Sequence, residues 1–73
     1  MSEVRKWLET VGLAQYANAF EANDIDIDLL SQVDDQLLKG IGVLSAGHRL
    51  RIRNTIALRN ALTKIFRSPI SVG

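Results

Sequence analysis

The 73-residue sequence contains no cysteine, a single proline and a single histidine. Without cysteine the chain has no disulfide framework and no cysteine-based zinc site, so packing has to hold the fold together. No apolar run approaches the roughly 18 residues that a membrane-spanning helix needs, and no signal segment opens the chain. The sequence therefore predicts one small domain, and a reducing cytoplasm is the expected compartment.

Acidic residues are missing from the second half of the chain. All eight lie within the first 37 residues, which also hold two bases and sum to −6. The remaining residues hold seven bases and no acid, which gives +7. The net charge of +1 therefore hides two halves of opposite sign, a pattern that concerns binding partners rather than fold.

Two early stretches place apolar residues at helical spacing. These residues are Val4, Trp7, Leu8 and Val11, followed by Leu13, Tyr16, Ala17 and Phe20. Each set follows the i, i+3, i+4, i+7 pattern that buries one side of a helix. Gly12 lies where a left-handed C-cap is expected, so one helix ends there and a second runs to about Ala22.

The central segment DIDIDLL, residues 24–30, alternates polar and apolar residues as a strand does. No other segment offers a strand for it to pair with, so we expect a loop and then a short helix over 28–32. Asp34 is a candidate N-cap for another short helix over 35–40. The residues expected to turn inward are Ile25, Leu29 or Leu30, Val33, Leu38 and Ile41.

The last helix is predicted to be the longest, from about Ala46 to Ile65, with Ser45 as its N-cap. Ile52, Ile56 and Leu62 lie on one side of it, with His48 and Leu58 near the edges of that side. The fold class is therefore all-α, a compact bundle of five helices. Residues 1–66 form the predicted domain, and residues 67–73 the start of a linker.

Three stretches together resemble one known family. WLETVGLAQYANAFEANDID, LLKGIGV and GHRLRI occur in the order and at the spacing of the sterile alpha motif (SAM) domain. In particular, the chain resembles SAM domains at the N-termini of bacterial class III nucleotide cyclases. The resemblance implies a five-helix bundle that binds other proteins, commonly other SAM domains.

The resemblance also implies two docking surfaces, because many SAM domains associate head to tail. The acidic face would comprise Asp26, Ile27, Asp28, Asp34, Asp35 and Leu37. The basic face, around the start of the last helix, would comprise Lys39, Leu44, Gly47, Leu50, Arg51 and Arg53. Two different complementary surfaces on one molecule propagate into a ring or an open filament. We therefore expect self-association, or binding to another SAM domain, that brings attached effector domains together.

No group of residues points to catalysis, a cofactor or a metal. His48 has no accompanying base and acid to form a nucleophilic triad. The DIDID segment lacks the central glycine and closing glutamate of a calcium loop. GIGVLSAG has neither a preceding strand nor the lysine of a phosphate loop. The chain is therefore not expected to be an enzyme.

RNA binding is the alternative function. Arg49, Arg51 and Arg53 near a helix N-terminus could contact phosphates, and a few SAM domains bind RNA hairpins through that region. The balanced net charge and the lack of an exposed aromatic residue for base stacking argue against it. We expect neither membrane binding nor a helix-turn-helix motif.

Overall fold

The fold consists of four α-helices and two 3-10 helices. A computed structural model describes the backbone of residues 2–67 and the side chains of residues 2–64. The α-helices are α1 (Glu3–Thr10), α2 (Ala17–Ala22), α3 (Asp35–Gly40) and α4 (Ala46–Arg67). The first 3-10 helix (Ala14–Tyr16) leads directly into α2, and the second (Ile27–Gln32) precedes α3. No strand occurs among the described residues, and the predicted all-α fold with a long last helix is confirmed.

Side-chain caps set the starts of three helices. The Asp34 carboxylate accepts a hydrogen bond from the Leu37 amide at 2.8 Å, which confirms Asp34 as the N-cap of α3. The Ser45 hydroxyl likewise accepts from the His48 amide at 3.2 Å at the start of α4. Ser2 caps α1 by accepting from the Arg5 amide at 3.2 Å, a cap that the sequence analysis missed. Each cap satisfies an amide that has no partner inside its helix.

The first three α-helices end in the same type of turn, the Schellman motif. Its characteristic bond runs from an amide two residues past the cap back to a carbonyl of the last turn. These bonds join Leu13 to Leu8 at 2.8 Å, Ile25 to Phe20 at 2.9 Å, and Val43 to Leu38 at 2.9 Å. All six side chains are buried, so each turn also brings an apolar pair into the core.

The turning residue of each Schellman motif has a positive φ. Gly12 and Gly42 take this position after α1 and α3, with φ of 77° and 107°. Asp24 takes it after α2 with φ of 56°, where its short polar side chain is tolerated better than most. The predicted left-handed cap at Gly12 is thereby confirmed.

The hydrophobic core ends part-way along α4. Ile52 and Ile56 are buried as predicted, but no described side chain from residue 57 to residue 64 is buried. Leu62, expected on the inner side, is 46% exposed, and Leu58 is 61% exposed. The expectation for Leu62 was wrong because α4 is long: it spans 22 residues, about 33 Å. Its C-terminal part, which carries Leu62, extends past the helices that could cover it.

The central segment forms a loop and then a 3-10 helix, Ile27–Gln32, which begins one residue before the short helix predicted over 28–32. Of the two leucine alternatives, Leu30 is fully buried and Leu29 is exposed, while Ile41 is half-buried rather than buried. α4 continues to Arg67, two residues beyond the predicted end. Residues 68–73 of the predicted linker lie outside the described residues, so the domain boundary stays a prediction.

Candidate protein-interaction surfaces

The acidic face lies on the second 3-10 helix and the start of α3. Asp26 begins the 3-10 helix, where its carboxylate accepts from the Ile27 amide at 2.8 Å, and Asp34 caps α3. Both caps remain exposed. Asp28 is exposed too and forms no ion pair with any described residue. These three exposed carboxylates therefore lie on or beside short helices and form no ion pair with any described residue.

Asp35 differs from the other acids of this face, because its charge is matched inside the domain. Its Oδ1 accepts from Nε of Arg49 at 2.7 Å, and Nη1 of Arg49 donates to the Val43 carbonyl at 2.9 Å. The Arg49 side chain is 12% exposed and the Asp35 side chain 50%. This ion pair ties α3 to α4. The residue pattern gave no sign of it, because Asp35 and Arg49 lie 14 residues apart.

Exposed apolar side chains accompany the acids. Leu37 is 39% exposed and Ile27 is half-buried. Leu29, which the sequence analysis did not assign to this face, is 41% exposed. Neighbouring residues of a 3-10 helix point about 120° apart, so Leu29 and Leu30 cannot both face the core. That geometry is the signal that could have added Leu29 to the acidic face.

The basic face surrounds the N-terminal half of α4. Lys39 lies in the last turn of α3, Leu44 precedes α4, and the remaining four members lie within the first eight residues of α4. All six predicted members of this face are exposed: Lys39, Leu44, Gly47, Leu50, Arg51 and Arg53. Leu44 is 74% exposed and Leu50 is 59% exposed.

The bases of this face have no acidic partner within the part of the chain that the structure describes. Both described ion pairs involve other bases, Arg5 and Arg49. The sequence places Arg49 next to Arg51 and Arg53 in one basic cluster. In the structure only Arg49 of these three forms an ion pair with a described residue. Lys39 also fits its position in α3, because a cation in the last turn of a helix interacts favourably with the helix dipole.

Gly47 is a glycine that the fold itself does not require. A Cβ atom at this position would meet one neighbour, the Ser45 hydroxyl oxygen, at 3.9 Å. Its φ lies outside the left-handed region. The missing side chain therefore leaves a low point on the exposed surface of the first turn of α4, close to Leu44 and Leu50 in sequence.

A separate ion-pair network joins α1 to α2. The Arg5 guanidinium donates to Glu21 through Nε at 3.0 Å and through Nη2 at 2.7 Å, and the Ser2 hydroxyl donates to Glu21 at 2.5 Å. The hydrogen bonds from Arg5 and then from Ser2 lower the pKa of Glu21 to about 2. Nη2 also donates to Asn18 at 2.6 Å. This network stabilises the fold and belongs to neither face.

The contacts of His48 hold two parts of the fold together. It is half-buried in the first turn of α4, where Nδ1 is hydrogen-bonded to the Tyr16 hydroxyl and the two rings meet edge to face.

No group of three potential metal-ligating residues occurs among the described residues. None of the described helices is long and apolar enough to cross a membrane.

Comparison with known proteins agrees with this architecture. A family model of the SAM domain (sterile alpha motif) matches residues 1–59. Stress-activated protein kinase alpha of Dictyostelium discoideum is 36% identical over 64 residues, 86% of this chain and 10% of that protein. Ankyrin repeat and sterile alpha motif domain-containing protein 1B of Danio rerio is 36% identical over 61 residues, 80% of this chain and 5% of that protein.

Diacylglycerol kinase eta of Drosophila melanogaster is 39% identical over 56 residues, 77% of this chain and 3% of that protein. The chain therefore spans a tenth or less of the length of these relatives. All three are eukaryotic, and none carries the name of a nucleotide cyclase. No solved structure gives a significant match.

Proposed function

This chain belongs to the sterile alpha motif family of protein-interaction domains, and from that premise we propose that it self-associates head to tail. The acidic face of one copy docks onto the basic face of the next. One observation carries the proposal: each face combines exposed leucines with three charges of one sign that form no ion pair among the described residues, Asp35 of the acidic face being the paired exception.

Charge orients this contact. Asp26, Asp28 and Asp34 form one set, and Lys39, Arg51 and Arg53 the other, so the favourable pairing is acidic face to basic face. Complementary charge raises the association rate and suppresses like-with-like contacts, while affinity depends more on the buried centre. The contact is heterologous, so each added copy uses one of its two faces and leaves the other exposed for the next copy.

Leucines supply the apolar centre. Leu29 and Leu37 are about 40% exposed on the acidic face, whereas Leu44 and Leu50 are exposed by 74% and 59% on the basic face. In the proposed contact these four leucines are buried together, and Gly47 gives the partner's backbone room to approach. Fully burying an exposed leucine stabilises a contact by roughly 1.5–3 kcal/mol.

Within a longer protein, such a contact would bring attached effector domains together without any catalysis by this domain. A nucleotide cyclase as the effector and a cytoplasmic location stay predictions. Another SAM domain in place of a second copy is compatible with the same two faces. It would leave the purified chain monomeric.

Sedimentation velocity across a concentration series tests self-association. We expect species larger than a monomer at low salt and fewer of them at high salt, since exposed charges are screened beyond about 8 Å at physiological ionic strength. Arg51→Glu should abolish these species. Lys64→Glu makes the same change of charge on the same helix outside both faces and should leave them intact. A wild-type monomer at high concentration and low salt would contradict self-association.

RNA hairpin binding remains the alternative prediction. Arg49, one of the three arginines it relied on, is occupied by Asp35 and the Val43 carbonyl. A pull-down with a hairpin library tests it, and specific retention that survives 150 mM salt would favour RNA over a protein partner.

A further inference from the structure

A groove lies between α4 and the segment formed by the second 3-10 helix and Val33. It is a shallow groove open to solvent, with a volume of about 370 Å³. The buried side chains of Val33 and Ile56 line it, together with Leu50 and Ala57. An aliphatic side chain of a ligand would therefore find apolar surface on α4 and on Val33, which directly follows the 3-10 helix.

Polar groups line the same groove. Arg53, Asn54 and Asn60 come from α4, and Ser31 comes from the 3-10 helix. Arg53, Ala57 and Asn60 are spaced i, i+4 and i+7, so they follow one side of α4 over two turns. No side-chain hydrogen bond to another described residue occupies Arg53, Asn54 or Asn60. These groups are therefore available to a ligand.

The residues that line the groove carry a single positive charge. Arg53 is its one ionisable lining residue, and α4 contains no acidic residue at all. A guanidinium binds a carboxylate through two parallel hydrogen bonds. A carboxamide offers both a donor and an acceptor, as does the backbone of an extended peptide. A single cation suits a carboxylate better than a doubly charged phosphate.

We propose that this groove binds a short peptide that carries one aliphatic and one acidic side chain next to each other. The carboxylate pairs with Arg53, the aliphatic side chain lies against Val33 and Ile56, and the carboxamides of Asn54 and Asn60 bond the peptide backbone. Peptide binding in this groove is separate from head-to-tail association. Leu50 and Arg53 are shared with the basic face, but Ser31, Asn54 and Asn60 are not.

Because two residues are shared, peptide binding and head-to-tail docking would compete for Arg53. A peptide of this kind, supplied by another protein, would then limit the length of an assembly. Binding itself does not require assembly, so it is best measured on the variant Asp28→Lys, which alters the acidic face and leaves every groove residue unchanged.

Two-dimensional NMR of the 8.1 kDa chain gives a residue-specific readout. The probe is the blocked tetrapeptide acetyl-Ala-Leu-Asp-Ala-amide, titrated to several times the millimolar dissociation constant expected for so small a ligand. The side-chain amide signals of Asn54 and Asn60 should shift and saturate. Those of Asn18 and Asn23, which are engaged with Arg5 and with the Ala19 carbonyl, serve as internal controls and should not move.

Matched changes in ligand and protein separate the contributions. Replacing Asp by Asn in the peptide, or Arg53→Gln in the protein, should weaken binding at least fivefold, and Arg51→Gln should not weaken it. Ala57→Met fills the groove without altering charge and should also abolish saturation.

Two results would overturn the proposal. One is a set of shifts that never saturates or that spreads equally over all the exposed bases. The other is equal binding of the Asn peptide. Either result can occur whether or not the wild-type chain assembles. Failure of peptide binding is therefore distinguishable from failure of head-to-tail association.

Discussion

Arginines on the inner and outer sides of α4 make different contacts. Arg49 turns inward, where it pairs with Asp35 and the Val43 carbonyl, while Arg51, two residues later, is exposed and has no ion pair among the described residues. The fold needs the first arginine and has no evident need of the second. An exposed residue without a structural task is the better candidate for contact with a partner.

Two glycines repeat this contrast. Gly42 has φ of 107° and forms the Schellman turn after α3, so the backbone requires it. Gly47 has an ordinary helical φ and no close neighbour, so an alanine would be tolerated there and would favour the helix. The following predictions test the distinction by comparing stabilities, beginning with the largest expected effect.

Arg49→Met should destabilise the fold by about 1–3 kcal/mol, because it removes a charged hydrogen bond and leaves the carbonyl of buried Val43 without its side-chain donor. Arg51→Met should change stability by no more than about 0.5 kcal/mol, as is usual at exposed sites. Urea unfolding followed by circular dichroism measures both. Equal losses would remove the distinction between the two arginines.

Gly42→Ala should cost about 1–2 kcal/mol, the usual price of a left-handed conformation for a residue with a Cβ atom. No atom lies within 4 Å of the added Cβ, so the loss would come from the backbone alone. Thermal unfolding should show a midpoint several degrees lower than that of the wild type. An unchanged midpoint would mean that the turn relaxes without strain.

Gly47→Ala should act in the opposite direction and stabilise the fold by up to about 1 kcal/mol. The same variant should weaken self-association, because its methyl group fills the low point on the basic face. Paired thermal unfolding and sedimentation would show the two effects together. A gain in stability with undiminished association would remove Gly47 from the interface.

The smallest effect concerns acid stability. The pKa of Glu21 is lowered to about 2 in the fold, against a usual value near 4.5, so the unfolded chain binds more protons between these values. The stabilisation by Glu21 is therefore complete above about pH 4.5 and fades as the pH falls towards 2.

Glu21→Gln should reduce the decline of the thermal midpoint across this window, and Arg5→Gln should have the same result because it removes the principal partner. If the double variant declines less than either single one, the two residues act independently of each other.

Local signals explain why most of the fold could be predicted. Asp34 as a cap and glycine at the far end fixed the predicted bounds of α3, which the structure confirms as Asp35–Gly40. Helical periodicity misplaced Leu62, because a repeating pattern does not reveal where the covering elements stop. The same limit left Leu29 and Leu30 undecided.

The site was harder to predict because the ion pairs that separate paired from unpaired charges join residues far apart in the sequence. Only the packing of α3 against α4 separates Arg49 and Asp35 from the exposed charges around them. The network of Ser2, Arg5 and Glu21 likewise spans up to 19 residues. Charge counting along the chain separated an acidic half from a basic half, and the family resemblance implied the two faces, but neither could identify which charges are paired within the domain.

Complementation of two charge-reversed variants tests head-to-tail docking most directly. Arg51→Glu blocks the basic face and Asp28→Lys blocks the acidic face, so each variant alone should sediment as a monomer. Mixed at equal concentration, they retain one intact face of each kind and should form a complex of two chains and no larger. A mixture that stays monomeric, or single variants that still form long assemblies, would contradict the assignment of the two faces.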